Sequence, residues 1–362
     1  MIFLHMKKRL FFSAGFLILL IFIGIAVCVT AYVIVRPFID LGPPFKVLYG
    51  KSLYIDDPEI GFVPRSNNDA LIHYLTINNL SRAVTDDIGA RVDKRGESAS
   101  ADVVTIGCSF AYGAGIDNAD TFTSVFSKNT GLRAVNLAVS SYNTIQALLM
   151  LKKHRDLRPK VIIYGLIEAH AYRNIKPCAD SFLPICLATP YIDFHENGTP
   201  FILPPVRKNS VTRTQRFIDE VTNSSFHLSQ LMWAPEMVLC RYYDKYYENT
   251  KANPDKVGKA FEFAIDELVA FSKELDAKLI IVYFPYTFLG KPKEMPYALK
   301  ESILKRGVLL LDTTPVIYEH MNKPSAPLLH VLDGHPNEIA HNIYALELEK
   351  LFKRERLIRT WH

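Results

Sequence analysis

The chain has 362 residues, 49% of them apolar, and a formal net charge of +5 with acidic and basic residues well mixed. That size can bury a sizeable core and favours one main domain with additions over two independent domains. A charge so small and so dispersed argues against a nucleic-acid partner.

The first element is apolar. Lys7-Lys8-Arg9 precedes a nearly unbroken hydrophobic run from Leu10 to Val35, closed by Arg36-Pro37. About 20 apolar residues span a bilayer core, whereas a cleaved signal peptide has an apolar region of only about 7–15 residues. The length predicts a retained transmembrane helix within residues 1–37. Its cytoplasmic end is the positively charged one, so the rest of the chain faces the periplasm, the exterior or a lumen. Residues 38–60 carry Pro and Gly punctuation and read as a linker. Residues 61–100, with alternating apolar positions around Tyr74-Leu75-Thr76-Ile77, read as a small β-rich preamble ending in a polar loop.

From residue 101 onward strands and helices alternate. Val103 to Ile106 reads as a strand, followed by a turn and a helix near Thr121 to Asn129. A strand near Ala134 to Leu137 precedes a helix from Thr144 to Arg155. Val161-Ile162-Ile163-Tyr164-Gly165 is uniformly apolar, as a strand buried on both faces should be. Later come a helix near Lys256 to Leu275, a strand from Lys278 to Phe284, a helix from Pro296 to Lys305 and a strand from Val308 to Leu311. A last helix runs from about Asn337 to Lys353. This alternation predicts a parallel sheet covered on both faces, with the ligand site beyond the carboxyl ends of the strands.

Residues 175–250 break the rhythm and form an insertion. Tyr191 to Phe194 and Phe201 to Leu203, separated by Asn197-Gly198, read as a hairpin. Helical segments follow, including the aromatic-rich stretch Arg241 to Tyr247. The insertion leaves a strand end and so could wall a site there. In an oxidising compartment Cys178 and Cys186 could pair; the alternative is two reduced thiols. No cysteine pair has zinc-ligand spacing with histidines, and no glycine-rich motif suggests a cofactor.

Two motifs carry chemistry. Ser109, in Gly107-Cys108-Ser109-Phe110, follows the strand at Val103. Asp333 and His335, in Asp333-Gly334-His335-Pro336-Asn337, share one short loop near the C-terminus. Together they supply a nucleophile, a base and a group to orient the base, the three parts of serine acyl transfer. Taken singly, Ser109 reads as a turn or N-cap serine. Asp333 and His335 likewise read as a polar loop with Pro336 in the first turn of the last helix.

Both motifs resemble the SGNH or GDSL-type serine hydrolases. Gly107-Cys108-Ser109-Phe110-Ala111-Tyr112-Gly113-Ala114-Gly115 matches the first block, and Asp333 to Asn337 matches the last. The resemblance covers roughly residues 100 to 355. It implies a flavodoxin-like three-layer α/β/α sandwich, an acyl-enzyme on Ser109, His335 as base and Asp333 as the orienting acid. The oxyanion would be held by the Ser109 N–H, near a helix N-terminus, and by the Ser141 N–H in the second block. That block reads Asn136-Leu137-Ala138-Val139-Ser140-Ser141, where the family usually has glycines. Cys108 replaces the first-block Asp. Ala169 takes the position of the family's oxyanion Asn, leaving His170, Arg173 or Asn174 to substitute. Glu168, His170 and Arg173 also read as a solvated, salt-bridged loop. His341 reads as structural or exposed, and Asp312, at a strand end, as a reserve acid.

The expected function is a membrane-anchored extracytoplasmic esterase, deacylase or O-acyltransferase without a cofactor, acting on an acylated small molecule, glycan or lipid. A different class of function also fits: a fold-retaining envelope protein that binds a glycan or an assembly partner with little catalysis. A thiol enzyme using Cys108 is a weaker reading, because adjacent residues in a turn point in different directions.

Overall fold

The computed structural model describes residues 23–24, 45–74, 79–92, 100–179, 188–205, 253–285, 292–321, 328 and 334–357. The predicted membrane helix lies outside them except for Ile23 and Gly24, and among the described residues no helix is long and apolar enough to cross a membrane. The aromatic stretch at Arg241 and the helical segments around it also lie outside.

The linker reading of residues 38–60 gives way at residue 45. Strands β1 (Phe45–Tyr49) and β2 (Tyr54–Asp57) are already present there, followed by β3 (Gly61–Pro64), β4 (Asp69–Tyr74) and β5 (Asn79–Val84). Four or five residues are too few for a period-2 pattern to emerge, and Gly50, with φ +93°, breaks the chain between the first two. β4 pairs antiparallel with both β1 and β5, while β2 and β3 form their own hairpin. This preamble belongs to the unit Pro43–His362. Val47, Phe62 and Ile72 share one buried core with Val103 and Ile163. Two buried polar contacts fasten it further: Tyr142 Oη donates to the Phe62 carbonyl at 2.6 Å and Gln146 Nε2 to the Ile60 carbonyl at 2.9 Å.

The main sheet contains β6 (Val103–Gly107), β7 (Ala134–Asn136), β8 (Val161–Leu166), β11 (Lys278–Tyr283) and β12 (Leu309–Asp312), all parallel. The hairpin β9 (Tyr191–Phe194) and β10 (Pro200–Leu203) intervenes in sequence but not in the sheet. Every residue of β6 and β8 is buried, which is why both read as predominantly apolar runs. The spatial order is β7-β6-β8-β11-β12. Counted along the main sheet this is 2-1-3-4-5, the flavodoxin-like order, with its switch point between β6 and β8.

The helices are α1 (Ser109–Tyr112), α2 (Phe122–Thr130), α3 (Thr144–Lys153), α4 (Ala169–Arg173), α5 (Pro254–Glu274), α6 (Tyr297–Leu304), α7 (Thr314–Met321) and α8 (Glu338–Glu355). α2 packs with α8, whereas α3, α4 and α6 gather around α5. The crossover from β6 to β7 runs one way along the sheet and the later crossovers run the other. Right-handed connections therefore put the two helix sets on opposite faces. Local chemistry starts these helices. Thr121 caps α2, Asn143 and Gln146 form a reciprocal capping box on α3, and Asn253 caps α5 ahead of Pro254. In the hairpin, Ile192 packs with Ile145, Ala260 and Ala264, so it docks on α3 and α5.

Two glycines decide how closely α1 can approach the sheet. Gly107 and Gly165 face each other in register across β6 and β8. A Cβ on Gly165 would lie 2.7 Å from Ala111 Cβ and 2.8 Å from Phe284 Cε2, and one on Gly107, at φ +144°, would lie 2.7 Å from the Gly165 carbonyl oxygen. Gly165→Ala should therefore push α1 off the sheet. The expected outcome is a loss of about 1–3 kcal/mol by chemical denaturation, the usual range for overpacking. Unchanged stability would show that α1 does not depend on this approach.

Candidate active site

Ser109 leaves β6 at the switch point as the first residue of α1, and it is half-buried. Its hydroxyl lies 2.8 Å from His335 Nε2. The two residues are more than two hundred positions apart in the chain. His335 reaches Ser109 from the loop before α8. There Gly334 adopts φ +73°, and Asn337 caps the helix by accepting from the Ile339 and Ala340 N–H groups at 3.1 Å each. The expected first-turn role of Pro336 is thus corrected. The N-cap is Asn337, so Pro336 stands just before the helix. The His335 ring rests on Phe110, with centroids 5.0 Å apart, which limits its tilt. Asp333 lies outside the described residues.

The second-block turn lies close by. The Val139 N–H donates to the Gly107 carbonyl at 3.1 Å, which holds the turn at Ser140 and Ser141 beside the end of β6. Ser141 adopts φ +68°, the left-handed conformation that glycine usually supplies. Among the described residues, the N–H groups of Ser109 and Ser141 donate to no acceptor. Asn136 braces the turn from below. Its Nδ2 donates to the Ala111 carbonyl at 3.1 Å and its Oδ1 accepts from the Ala138 N–H at 3.0 Å.

α1 has only four residues. A helix that short develops little macrodipole, so the expected anion-binding helix terminus at Ser109 reduces to the single Ser109 N–H. The polar segment after β8 also differs from expectation. His170 is fully buried, with Nδ1 2.6 Å from the Tyr164 hydroxyl, which lies 2.8 Å from the Thr144 hydroxyl. Asn174 is fully buried too, its Oδ1 accepting from the Thr144 N–H at 2.9 Å. Both side chains therefore serve the packing of α3 against α4, a correction to their reading as oxyanion donors. Burial, together with the nearby Arg173 cation, holds the His170 imidazole well below its usual range, so it stays neutral. Glu168 keeps a salt-bridged, solvated character, 3.9 Å from Lys293.

Arg173 lies near enough to the Cys108 thiol for its cation to bear on it. Cys108 is fully buried, and burial pushes its thiol up against the opposing pull of Arg173. It therefore stays a thiol, which removes the reading of Cys108 as a nucleophile. Asp312, the reserve acid, accepts from the Thr314 N–H at 3.0 Å and so caps α7, a helix that lacks a strong sequence signal. His341 is buried and structural, its Nδ1 accepting from the Phe122 N–H at 3.0 Å. Cys178 is disulfide-bonded, and an isolated bridge joins it to Ala188; Cys186 lies outside the described residues. Among the described residues no His, Cys, Asp and Glu group could hold a metal ion.

One contributor carries no sequence signal. Arg91, buried in the preamble, donates to the carbonyls of Tyr112 at 2.6 Å, Gly113 at 2.5 Å and Ile116, and to Asn118 Oδ1 at 2.6 Å. Its guanidinium also lies 4.4 Å from the Tyr112 ring centroid. A single planar fork thus satisfies the carbonyls left open where α1 ends.

No protein-family model and no curated protein matches this chain. Solved structures do. A GDSL-like lipase from Bacteroides thetaiotaomicron is 10% identical over 70% of this chain and 88% of its own, with a TM-score of 0.34. An acetylxylan esterase from Geobacillus stearothermophilus, solved as a catalytic mutant, is 12% identical over 70% and 94%, with a TM-score of 0.36. An alpha/beta hydrolase from the metagenome of Lake Arreo, Spain, is 14% identical over 70% and 97%, with a TM-score of 0.37. At that distance the chemistry must be argued from this chain's own geometry.

Two outcomes test the site's supports. Arg91→Met should destabilise the protein by about 3 kcal/mol or more in urea titration, because buried carbonyls lose their donor at roughly 1–3 kcal/mol each. For His170, the folded state resists a proton that the unfolded chain binds near its ordinary value of about 6.5. Stability is therefore full above that value and is lost as pH falls below it. The melting temperature should drop between pH 7.5 and pH 5, and drop less in His170→Gln. Equal drops in both proteins would place the acid sensitivity elsewhere, for instance at His154, whose imidazole is also held low by burial.

Proposed function

We propose that this protein is a serine hydrolase of carboxylic esters, an esterase or deacylase with O-acyl transfer as the related outcome. The observation that carries this reading is the 2.8 Å contact between Ser109 Oγ and His335 Nε2 at the β6–β8 switch point. Ser109 attacks the ester carbonyl carbon as His335 takes its proton, and the carbonyl π pair moves onto oxygen. Collapse expels the alcohol, which leaves with that proton, and an acyl group remains on Ser109. Water or an acceptor hydroxyl then repeats the sequence in reverse. Asp333, two residues before His335, is the acid assigned to orient the imidazole. The open N–H groups of Ser109 and Ser141 supply the neutral oxyanion donors.

The apolar run at Leu10–Val35 supports a membrane-anchored form with the hydrolase on the far side from the cytoplasm. Acylated glycans or lipids of the cell envelope are the substrates that such a location offers. The binding-protein alternative draws support from the replaced second-block glycines and from Ala169, but an already formed serine–histidine contact favours catalysis.

Hydrolysis of p-nitrophenyl acetate by the full chain in detergent tests this proposal. Ser109→Ala and His335→Ala should each lower kcat by at least about 1,000-fold, as loss of a member of such a set does elsewhere. Activity retained in folded Ser109→Ala would sink it.

A further inference from the structure

From the geometry we infer that Tyr142 is a positioning residue for the oxyanion turn, held in place by the preamble hairpin β2–β3. The inference rests on the serine-hydrolase reading and names the device that keeps one of its oxyanion donors aimed. Val139 to Tyr142 form a four-residue turn, closed by the Tyr142 N–H on the Val139 carbonyl at 3.3 Å. Its third residue is Ser141, at φ +68°. Turns that need a positive φ at that place favour glycine or asparagine. In a serine the Cβ makes this conformation sterically costly, so it persists only where the surroundings hold it.

The surroundings grip both ends of the turn. At its entry the Val139 N–H donates to the Gly107 carbonyl at 3.1 Å and the Ala138 N–H to Asn136 Oδ1 at 3.0 Å. At its exit Tyr142 is fully buried. Its Oη donates to the Phe62 carbonyl at 2.6 Å, and its ring meets Phe62 edge-on with centroids 5.3 Å apart. Phe62, on β3, in turn meets Tyr54, on β2, at 5.5 Å. The next residue, Asn143, caps α3 while its Nδ2 donates to the Pro190 carbonyl at 2.9 Å. A change of φ at Ser141 alone would swing Tyr142 out of this slot and leave the buried Phe62 carbonyl without its donor. The Tyr142 side chain therefore holds the Ser141 backbone in the left-handed region, and with it the direction of the Ser141 N–H. A glycine at that position would need no such clamp. Tyr142 acts through Ser141 and not on the substrate. The preamble thus serves the second-block turn through Phe62 as it serves α1 through Arg91.

The test uses the full chain in detergent and makes Tyr142→Phe in two backgrounds, native and Ser141→Gly. The readouts are p-nitrophenyl acetate turnover and the rate of fluorophosphonate labelling at Ser109, with folding checked by circular dichroism. In the native background Tyr142→Phe should lower kcat and kcat/KM alike by at least about 10-fold, because a misaimed donor is missed in the transition state. Labelling should slow in parallel. Measured against Ser141→Gly, the added Tyr142→Phe should cost less than about 3-fold, since glycine keeps the turn without the clamp. Phe62→Leu, which removes the ring beside Tyr142 but keeps the carbonyl, carries the same comparison if Tyr142→Phe does not fold. A folded Tyr142→Phe with near-wild-type kcat and labelling overturns the inference while the serine reading stands. So does an equal loss in both backgrounds, or a Ser141→Gly chain with no activity to lose. A wild-type chain that neither hydrolyses the ester nor takes the label overturns both.

Discussion

The contact on which the site depends is a backbone approach made without side chains. Gly107 and Gly165 meet across β6 and β8, and their missing Cβ atoms leave room for Ala111 at the sheet surface. Any larger residue would lift α1 and carry Ser109 away from His335. The flavodoxin-like order adds the second half of this constraint. Strands leave the β6–β8 boundary in opposite directions, so a crevice opens there above the carboxyl ends. Ser109 stands at that crevice because it follows β6 and not because of any property of serine.

The supports around the nucleophile are polar, buried and distributed along the chain. Arg91 comes from the preamble, Asn136 from the end of β7, and the Thr144–Tyr164–His170 line from α3, β8 and α4. Each satisfies backbone or side-chain groups that burial would otherwise leave bare. The preamble is therefore part of the machinery, since Arg91 takes up the carbonyls where α1 ends. His170 and Asn174 show the same logic from the other side. They are polar residues next to the site in sequence, yet their hydrogen bonds hold α3 against α4.

Charge is handled sparingly. Cys108 stays a neutral thiol and His170 a neutral imidazole, both through burial.

The sequence by itself determined the α/β class, the main strands and most helices. β6 and β8 are buried on both faces, so apolar residues dominate them, and the helix caps at Thr121, Asn143 and Asn253 are local chemistry. It also brought Ser109 and His335 forward as partners, because a nucleophile after a buried strand and a histidine before a capped helix are visible one residue at a time. The tertiary structure decided the rest. Strands β1 and β2 were hidden because short segments have no period to read. Arg91 was hidden because its acceptors lie on other elements. The places of His170 and Asn174 depended on which way each side chain leaves α4 and its C-cap. Spacing along the chain does not fix that direction; only the packing of α4 on α3 and β8 buries both of them.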